Sequence, residues 1–202
     1  MDFAECHVLH LVLVAFLSQL REVLSSLGSL TGRGSMIVNL LDSGPALTFS
    51  TPAQLTSVDR TKLAAFAKVH GIPRISWQDP KSGGIETVAH SAAIRLRFAD
   101  ADTAPPPAAF LQATKDAEQA ISAAVVGGIP PLNRKDIIVE LFAGCGTLTF
   151  PLAEKGRVLA YEGNETATAT LKAASGGRRV DAYGRDLGRQ PLLPQDLKTA
   201  RA

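Results

Sequence analysis

The first hundred residues change from helix-like to strand-like spacing of their apolar positions. Residues 7–27 carry apolar side chains at i, i+3, i+4 and i+7 and end at Gly28, which predicts an amphipathic helix packed on a sheet. Two short apolar runs within residues 36–50 flank a Gly-Pro turn, which predicts a hairpin. A second helix is predicted from Ser57, with Gly71 as its C′ residue. Further strands are predicted at residues 74–77, 86–88 and 94–98.

A proline run separates this region from sequence of another kind. Residues 105–107 are three consecutive prolines, which neither a helix interior nor a central strand accommodates. We therefore expect residues 1–104 to form a small central α+β domain and residues 105–202 a second one. The second region alternates strand, glycine turn, helix, strand, helix and strand, which is typical of a parallel α/β sheet. Its strands are predicted near 137–141, 157–162 and 179–184.

Composition excludes several classes of protein. With 202 residues, 46% of them hydrophobic and 20% charged, the chain can bury a core and is not disordered. The net charge is only +2, so any nucleic-acid contact must come from local patches. Cys6 and Cys145 are the only cysteines, too few for a disulfide framework or a four-cysteine metal site. A reducing, cytoplasmic location is expected.

The apolar run at residues 8–17 is a poor candidate for a signal sequence or a membrane span. Asp2 and Glu5 precede it where basic residues would be expected. The run is also about half of the ~20 apolar residues that a spanning helix needs. We therefore expect no membrane association.

The candidate chemistry lies where the strand at 137–141 enters the turn Gly144-Cys145-Gly146. Missing glycine side chains let the backbone approach a ligand at such a turn. A dinucleotide fingerprint would place a third glycine where Thr149 stands. Glu140, just before the turn, suits the amino-acid end of S-adenosylmethionine better than it suits a dinucleotide.

Two more carboxylates follow the next strands. Glu162 ends the second strand, 18 residues after Gly144, where a carboxylate can accept both ribose hydroxyls. Asp186 follows the third strand and could accept from an adenine amino group. The alternative is that the glycines serve only tight strand-to-helix packing and that both acids are solvated surface charges.

Three segments resemble a known family. Residues 107–114 (PAAFLQAT), 139–147 (VELFAGCGT) and 158–162 (VLAYE) look like the class I S-adenosylmethionine-dependent RNA methyltransferases that act on carbon 5 of uridine. The resemblance implies an incomplete Rossmann-like methyltransferase domain preceded by a small α+β domain, with S-adenosyl-L-methionine as cofactor and tRNA or rRNA as partner. The cofactor-binding residues it implies, together with those argued above, are Gln112, Glu140, Phe142, Gly144, Gly146, Thr147, Glu162 and Asp186.

The chain also departs from that family. Many members carry an N-terminal β-barrel and a four-cysteine iron–sulfur site, of which Cys6 resembles an orphaned ligand; no other metal ligand is expected. Members also have an Asp-Pro-Pro motif, a nucleophilic cysteine and a basic glutamate, and the sequence ends at Ala202 before these would be expected. Carbon 5 of uracil becomes nucleophilic only after a thiolate adds to carbon 6, and a base must then remove the carbon-5 proton. We therefore assign no catalytic residue and expect this chain alone to be inactive.

Two other functions stay open from the sequence. One is a non-catalytic remnant that binds cofactor or RNA, and the other is a nucleotide-binding oxidoreductase domain. Residues 136–202 are few for a doubly wound sheet, so we also expect an exposed sheet edge that could support association with another chain.

Overall fold

The computed structural model describes residues 9–30 and 32–198, and the chain divides into two compact units between Ile94 and Arg95. Helices and strands of the first unit follow the order predicted from the sequence. They are α1 (Leu11–Ser26), β1 (Ser35–Leu41), β2 (Gly44–Ser50), α2 (Ser57–Val69), β3 (Arg74–Gln78) and β4 (Ile85–His90).

The first unit is a four-stranded sheet in the order β1-β2-β3-β4, with β1–β2 and β3–β4 antiparallel. Strands β2 and β3 are parallel, because α2 carries the chain across between them. One hydrophobic core joins the two helices to the sheet, and Leu47, Leu63 and Ile75 at its centre are fully buried. The i, i+3, i+4 spacing of α1 places Leu20 and Val23 in that core.

The buried carboxylate of Asp59 fixes the end of α1 against the start of α2. It accepts hydrogen bonds from the backbone N–H groups of Gly28 at 3.1 Å and Ser29 at 2.8 Å, and from the Ser29 hydroxyl. These donors, the Ser29 hydroxyl foremost, hold the pKa of Asp59 below its ordinary value. A polar residue on the inner side of α2 is thus fully satisfied.

The second unit begins with a hairpin within residues 96–103, which the sequence analysis places in the first domain. Its elements are β5 (Leu96–Phe98), β6 (Ala101–Thr103), α3 (Lys115–Gly127), β7 (Ile137–Leu141), α4 (Thr149–Ala153), β8 (Arg157–Glu162), α5 (Glu165–Ala174), β9 (Val180–Gly184) and α6 (Pro194–Lys198). Arg178 connects this hairpin to the rest of the second unit. Its guanidinium donates to the carbonyl of Asp100 at 2.9 Å and pairs with the Asp100 carboxylate. The predicted boundary at residue 104 therefore lies ten residues beyond the division in the structure.

The sheet of the second unit is parallel, in the order β7-β8-β9, and its three strands lie where the sequence predicted them. The predicted α/β class is confirmed. Val158, Leu159 and Leu171 are fully buried between this sheet and its helices. Among the described residues, β7 and β9 each pair only with β8, so both sides of the sheet end in a free edge. Association through such an edge stays a prediction.

No helix within the described residues is long and apolar enough to cross a membrane. Helix α1 has 16 residues and is interrupted by polar positions on its exposed side.

Candidate functional site

A cavity of about 460 Å³ opens in the second unit at the carboxyl ends of β7 and β8. This is the edge at which parallel α/β sheets bind ligands, and the volume suits a nucleoside-sized molecule. Six of the eight residues predicted from the sequence line it: Gln112, Glu140, Phe142, Gly144, Thr147 and Glu162. From the loop that forms one wall, residues 106–112, the sequence analysis singled out only Gln112, and it did not identify Asn164 or Thr166.

The Glu162 side chain lines this cavity, and hydrogen bonds hold its carboxylate in place. Its Oε2 accepts from the backbone N–H of Gly144 at 2.8 Å, and its Oε1 accepts from the backbone N–H of Asn164 at 2.7 Å. Each oxygen thus keeps lone-pair capacity for another donor. Asn164 is itself immobilised as the N-cap of α5, where its side chain accepts from Ala167 at 2.9 Å.

The two glycines of the turn have different roles. At Gly144, with φ +59°, an added Cβ would meet nothing within 4 Å, so the backbone is open toward the cavity. At Gly146, with φ +104°, a Cβ would lie 2.3 Å from the Phe150 ring. Gly146 does not line the cavity and serves close packing of the turn on α4. The packing alternative raised from the sequence thus describes Gly146, while Gly144 faces the cavity.

Two non-glycine residues lining the cavity adopt left-handed backbone conformations. Phe142 has φ +59° and Ala108 has φ +56°. A bulky residue in this region is strained by roughly 1–2 kcal/mol, and such strain concentrates at ligand sites. The Phe142 ring is 71% exposed and Phe110 is 86% exposed, so two aromatic rings flank the opening.

Glu140 is the second carboxylate of the cavity, and Thr149 is its partner. The fully buried Thr149 hydroxyl donates to Oε2 of Glu140 at 2.6 Å. Burial raises the pKa of Glu140 to about 7, against the smaller opposing effect of that hydrogen bond. Thr149 occupies the position at which a dinucleotide fingerprint has its third glycine. Here its hydroxyl instead orients the Glu140 carboxylate.

Cys145 does not fit the role of a nucleophile. Its side chain is buried, and the loss of solvation together with the nearby Glu162 charge raises the pKa of the thiol to about 11. A thiol of this kind stays protonated at neutral pH, whereas the thiolate is the reactive form.

Asp186 is not brought into the cavity. Its exposed carboxylate accepts from the backbone N–H groups of Gly188 at 3.0 Å and Arg189 at 3.1 Å, which closes the turn after β9. This is the side-chain-to-backbone pattern of an Asx turn. The adenine contact implied for Asp186 by the resemblance therefore stays a prediction.

The arginines near the C-terminus are engaged in structure. Arg179 donates to the carbonyls of Ala153 and Glu154 at the end of α4, and Arg185 donates to the carbonyls of Gln190 and Pro191. The described residues hold no cluster of His, Cys, Asp and Glu that could bind a metal ion. Cys6, the suggested orphaned iron–sulfur ligand, lies outside the described residues.

The charge of the cavity defines the ligand that fits it. Of the described residues that line it, Glu140 and Glu162 are acidic and none is basic. Such a lining favours a ligand that carries positive charge and hydroxyl donors, and it disfavours the pyrophosphate of a dinucleotide. S-adenosylmethionine has a sulfonium, an ammonium and two ribose hydroxyls, so the residues present fit it.

Comparison with known proteins gives the chain its relatives, although no family model matches it. It is 33% identical over 202 residues, 98% of its length, to an uncharacterized RNA methyltransferase of Mesorhizobium japonicum. It is 30% identical over 169 residues to the 23S rRNA (uracil(1939)-C(5))-methyltransferase of Klebsiella pneumoniae, covering 80% of the chain and 37% of that protein. The alignment with the Mesorhizobium protein covers 47% of that protein, so the chain spans about half the length of this relative.

Solved structures share the fold. The tRNA (uracil-54, C5)-methyltransferase of Pyrococcus abyssi, in complex with S-adenosyl-L-homocysteine, matches 92% of this chain and 50% of its own with a TM-score of 0.63 at 17% identity. The M. jannaschii tRNA m1G37 methyltransferase matches 87% of this chain and 52% of its own, with a TM-score of 0.51 at 13% identity. The Rossmann-like methyltransferase fold predicted from the sequence is thereby confirmed. Over 97–98% of its length the chain is thus homologous to proteins named as RNA methyltransferases, of which it spans somewhat less than half.

Proposed function

We propose that the second unit binds S-adenosylmethionine in its cavity and serves a methyltransferase that modifies carbon 5 of uridine in RNA. The observation that carries the proposal is the Glu162 carboxylate, held by the backbone of Gly144 and Asn164 with capacity for two further donors. The two ribose hydroxyls of the cofactor supply such donors. Uridine as the target is supported by the names of the Klebsiella and Pyrococcus relatives.

The remaining contacts follow from the chemistry of the lining. Gly144 leaves room for the ligand to lie against the backbone, and Phe142 and Phe110 offer apolar faces beside it. Glu140 suits the ammonium group of the methionine part. The Gln112 side chain makes no hydrogen bond with a described residue and can meet the polar groups of that same part.

Bound S-adenosylmethionine would supply the methyl group, and the role of this chain's residues is to hold and orient it. The reaction at carbon 5 also needs a thiolate nucleophile and a base. Cys145 is buried with a raised pKa and does not fit the role of that thiolate. We therefore propose that the 202-residue chain binds the cofactor without methylating RNA through Cys145.

Calorimetric titration tests the binding part of the proposal. S-adenosylhomocysteine should bind the chain, and NAD should not bind, because a pyrophosphate would face two carboxylates without a cation. Tighter binding of NAD would support the oxidoreductase alternative instead. Failure of both ligands to bind would refute the proposed site.

Incubation with tritiated S-adenosylmethionine and uridine-containing RNA tests the reaction. We expect no label in the RNA. Label at carbon 5 of uridine that is lost in Cys145→Ala would contradict our assignment of Cys145. Label on another base would contradict uridine as the target.

A further inference from the structure

Glu140 is a carboxylate that the cavity leaves half satisfied. Its Oε2 accepts from Thr149 at 2.6 Å, while its Oε1 accepts no hydrogen bond from any described residue. The side chain lines the cavity, and no Lys, Arg or His among the described residues lies on that lining to balance its charge. A partly buried carboxylate without a cation is costly to keep ionised.

The groups around Glu140 confirm that nothing in the described structure neutralises it. Ala160 lies opposite it on β8, and helix α4, which supplies Thr149, carries no titratable residue. Helix α3 contributes Ile121 to the cavity, and the other titratable groups on the lining are Cys145 and Glu162, which cannot supply positive charge. A cation that pairs with the ionised form of Glu140 therefore has no source among the described residues of the lining, and a bound ligand can supply it.

We infer that Glu140 recognises the ammonium group of the ligand's amino-acid part and that this recognition requires Glu140 to lose a proton on binding. The inference rests on the proposed function and adds to it a coupling between ligand and proton. In the free protein the carboxylic acid form predominates below neutral pH, as the pKa of about 7 indicates. When the ammonium enters, the O–H bond of Glu140 breaks, the proton passes to solvent, and the carboxylate pairs with the cation.

Thr149 is the positioning residue of this pair. Its hydroxyl is fully buried and donates to Oε2 of Glu140, which favours the ionised form of the carboxyl and leaves Oε1 for another donor. Replacement of Thr149 by valine keeps the shape and removes the donor. The pH range over which the proton is released should then move upward, a change that a merely structural role would not produce.

Calorimetric titration in two buffers of different ionisation enthalpy measures the released proton directly. With S-adenosylhomocysteine we expect release of about 0.9 proton at pH 6 and about 0.1 at pH 8, and an affinity about tenfold weaker at pH 6. 5′-Methylthioadenosine lacks the ammonium, so it should bind without proton release and with equal affinity at both pH values. Equal behaviour of the two ligands would overturn the inference.

Variants separate this inference from the proposed function. Glu140→Gln should abolish proton release by S-adenosylhomocysteine, whereas Glu86→Gln, an exposed carboxylate of the first unit paired with Arg60, should retain it. Thr149→Val should release a larger fraction of a proton at pH 8 than the about 0.1 expected of the original chain. Binding of S-adenosylhomocysteine without proton release refutes the coupling and leaves the proposed function intact. Failure of both ligands to bind refutes the proposed function and the coupling together.

Discussion

The backbone N–H of Gly144 donates to Oε2 of Glu162 at 2.8 Å, across 18 residues of chain. The bond joins the glycine turn after β7 to the acid that ends β8, so two features separate in sequence form one wall of the cavity. Because the strands are parallel and adjacent, their carboxyl ends meet at this edge. The geometry of the carboxylate is therefore fixed before any ligand binds.

Glu162→Ala should weaken S-adenosylhomocysteine binding by about 2 kcal/mol or more, because it removes a charged acceptor that two hydroxyls share. Calorimetry on both proteins gives the difference. Glu165→Ala is the matched control, since Glu165 lies in the first turn of α5 and is exposed outside the cavity. Equal affinity of Glu162→Ala and the original chain would make Glu162 a solvated surface charge.

The two glycines of the turn should respond differently to alanine. Gly146→Ala places a Cβ 2.3 Å from the Phe150 ring at a backbone φ of +104°, so we expect a loss of about 3 kcal/mol in unfolding free energy. Gly144→Ala adds only the backbone strain, about 1 kcal/mol, since open space surrounds the position. Its main effect should be weaker cofactor binding.

Urea unfolding and calorimetry together separate the two effects. If Gly144→Ala lost much unfolding free energy but kept its affinity for the cofactor, Gly144 would serve packing only, as Gly146 does.

Strand positions and the strand-end acids were predictable, because apolar runs of five or six residues bounded by glycine turns leave little choice in an α/β pattern. Of the loop at 106–112, only Gln112 was indicated, through the family resemblance, and no sequence pattern signals the left-handed backbone of Ala108 in that loop. In the sequence, Thr149 indicates only that the third glycine of a dinucleotide fingerprint is absent. Its hydrogen bond to Glu140 joins the first residue of the short helix α4 to a residue of β7 nine positions earlier, across the glycine turn.

Asp186 and the domain boundary show a second limit of sequence reasoning. The Asp186 carboxylate accepts from the backbone N–H groups of Gly188 and Arg189, and no sequence pattern distinguishes a strand-end acid that closes its own turn from one that faces a ligand. The hairpin before the proline run follows the second unit because of Arg178 and Asp100, which lie 78 residues apart. Local patterns do not contain such distant partners.

Asp186→Ala should destabilise the turn after β9 by about 1 kcal/mol, because two backbone N–H groups lose their acceptor. Asp186→Asn keeps an acceptor oxygen and should restore most of that stability. Affinity for S-adenosylhomocysteine, measured by calorimetry, should change less than in Glu162→Ala. A loss as large as that of Glu162→Ala would instead support the adenine contact implied by the family resemblance.

Glu140 should make the free protein less stable as the pH rises. The pKa of Glu140 is about 7 in the folded chain, against an ordinary value of 4.5 for a solvent-exposed glutamate such as that of the unfolded chain. As the pH rises from 4.5 to 7, Glu140 therefore ionises in the unfolded chain first, and the unfolded chain gains stability relative to the folded one. The full effect, reached above pH 7, is up to about 3 kcal/mol. Glu140→Gln removes it, and urea unfolding at pH 5 and pH 8 should show the variant gaining on the original chain at pH 8. A constant difference between the two proteins would contradict a raised pKa.

Cys145 should resist alkylation in the folded chain. Its thiol is buried and its pKa is about 11, so almost none of it is thiolate at pH 8, whereas alkylation requires that form. Iodoacetamide treatment followed by peptide mass spectrometry should leave the Cys145 peptide unmodified in the native protein and modified in urea. The peptide containing Cys6 serves in the urea sample as an internal measure of reagent activity. Rapid native alkylation of Cys145 would show an accessible thiolate beside the cofactor cavity, and Cys145 would then be a candidate for the nucleophile that adds to carbon 6 of uracil.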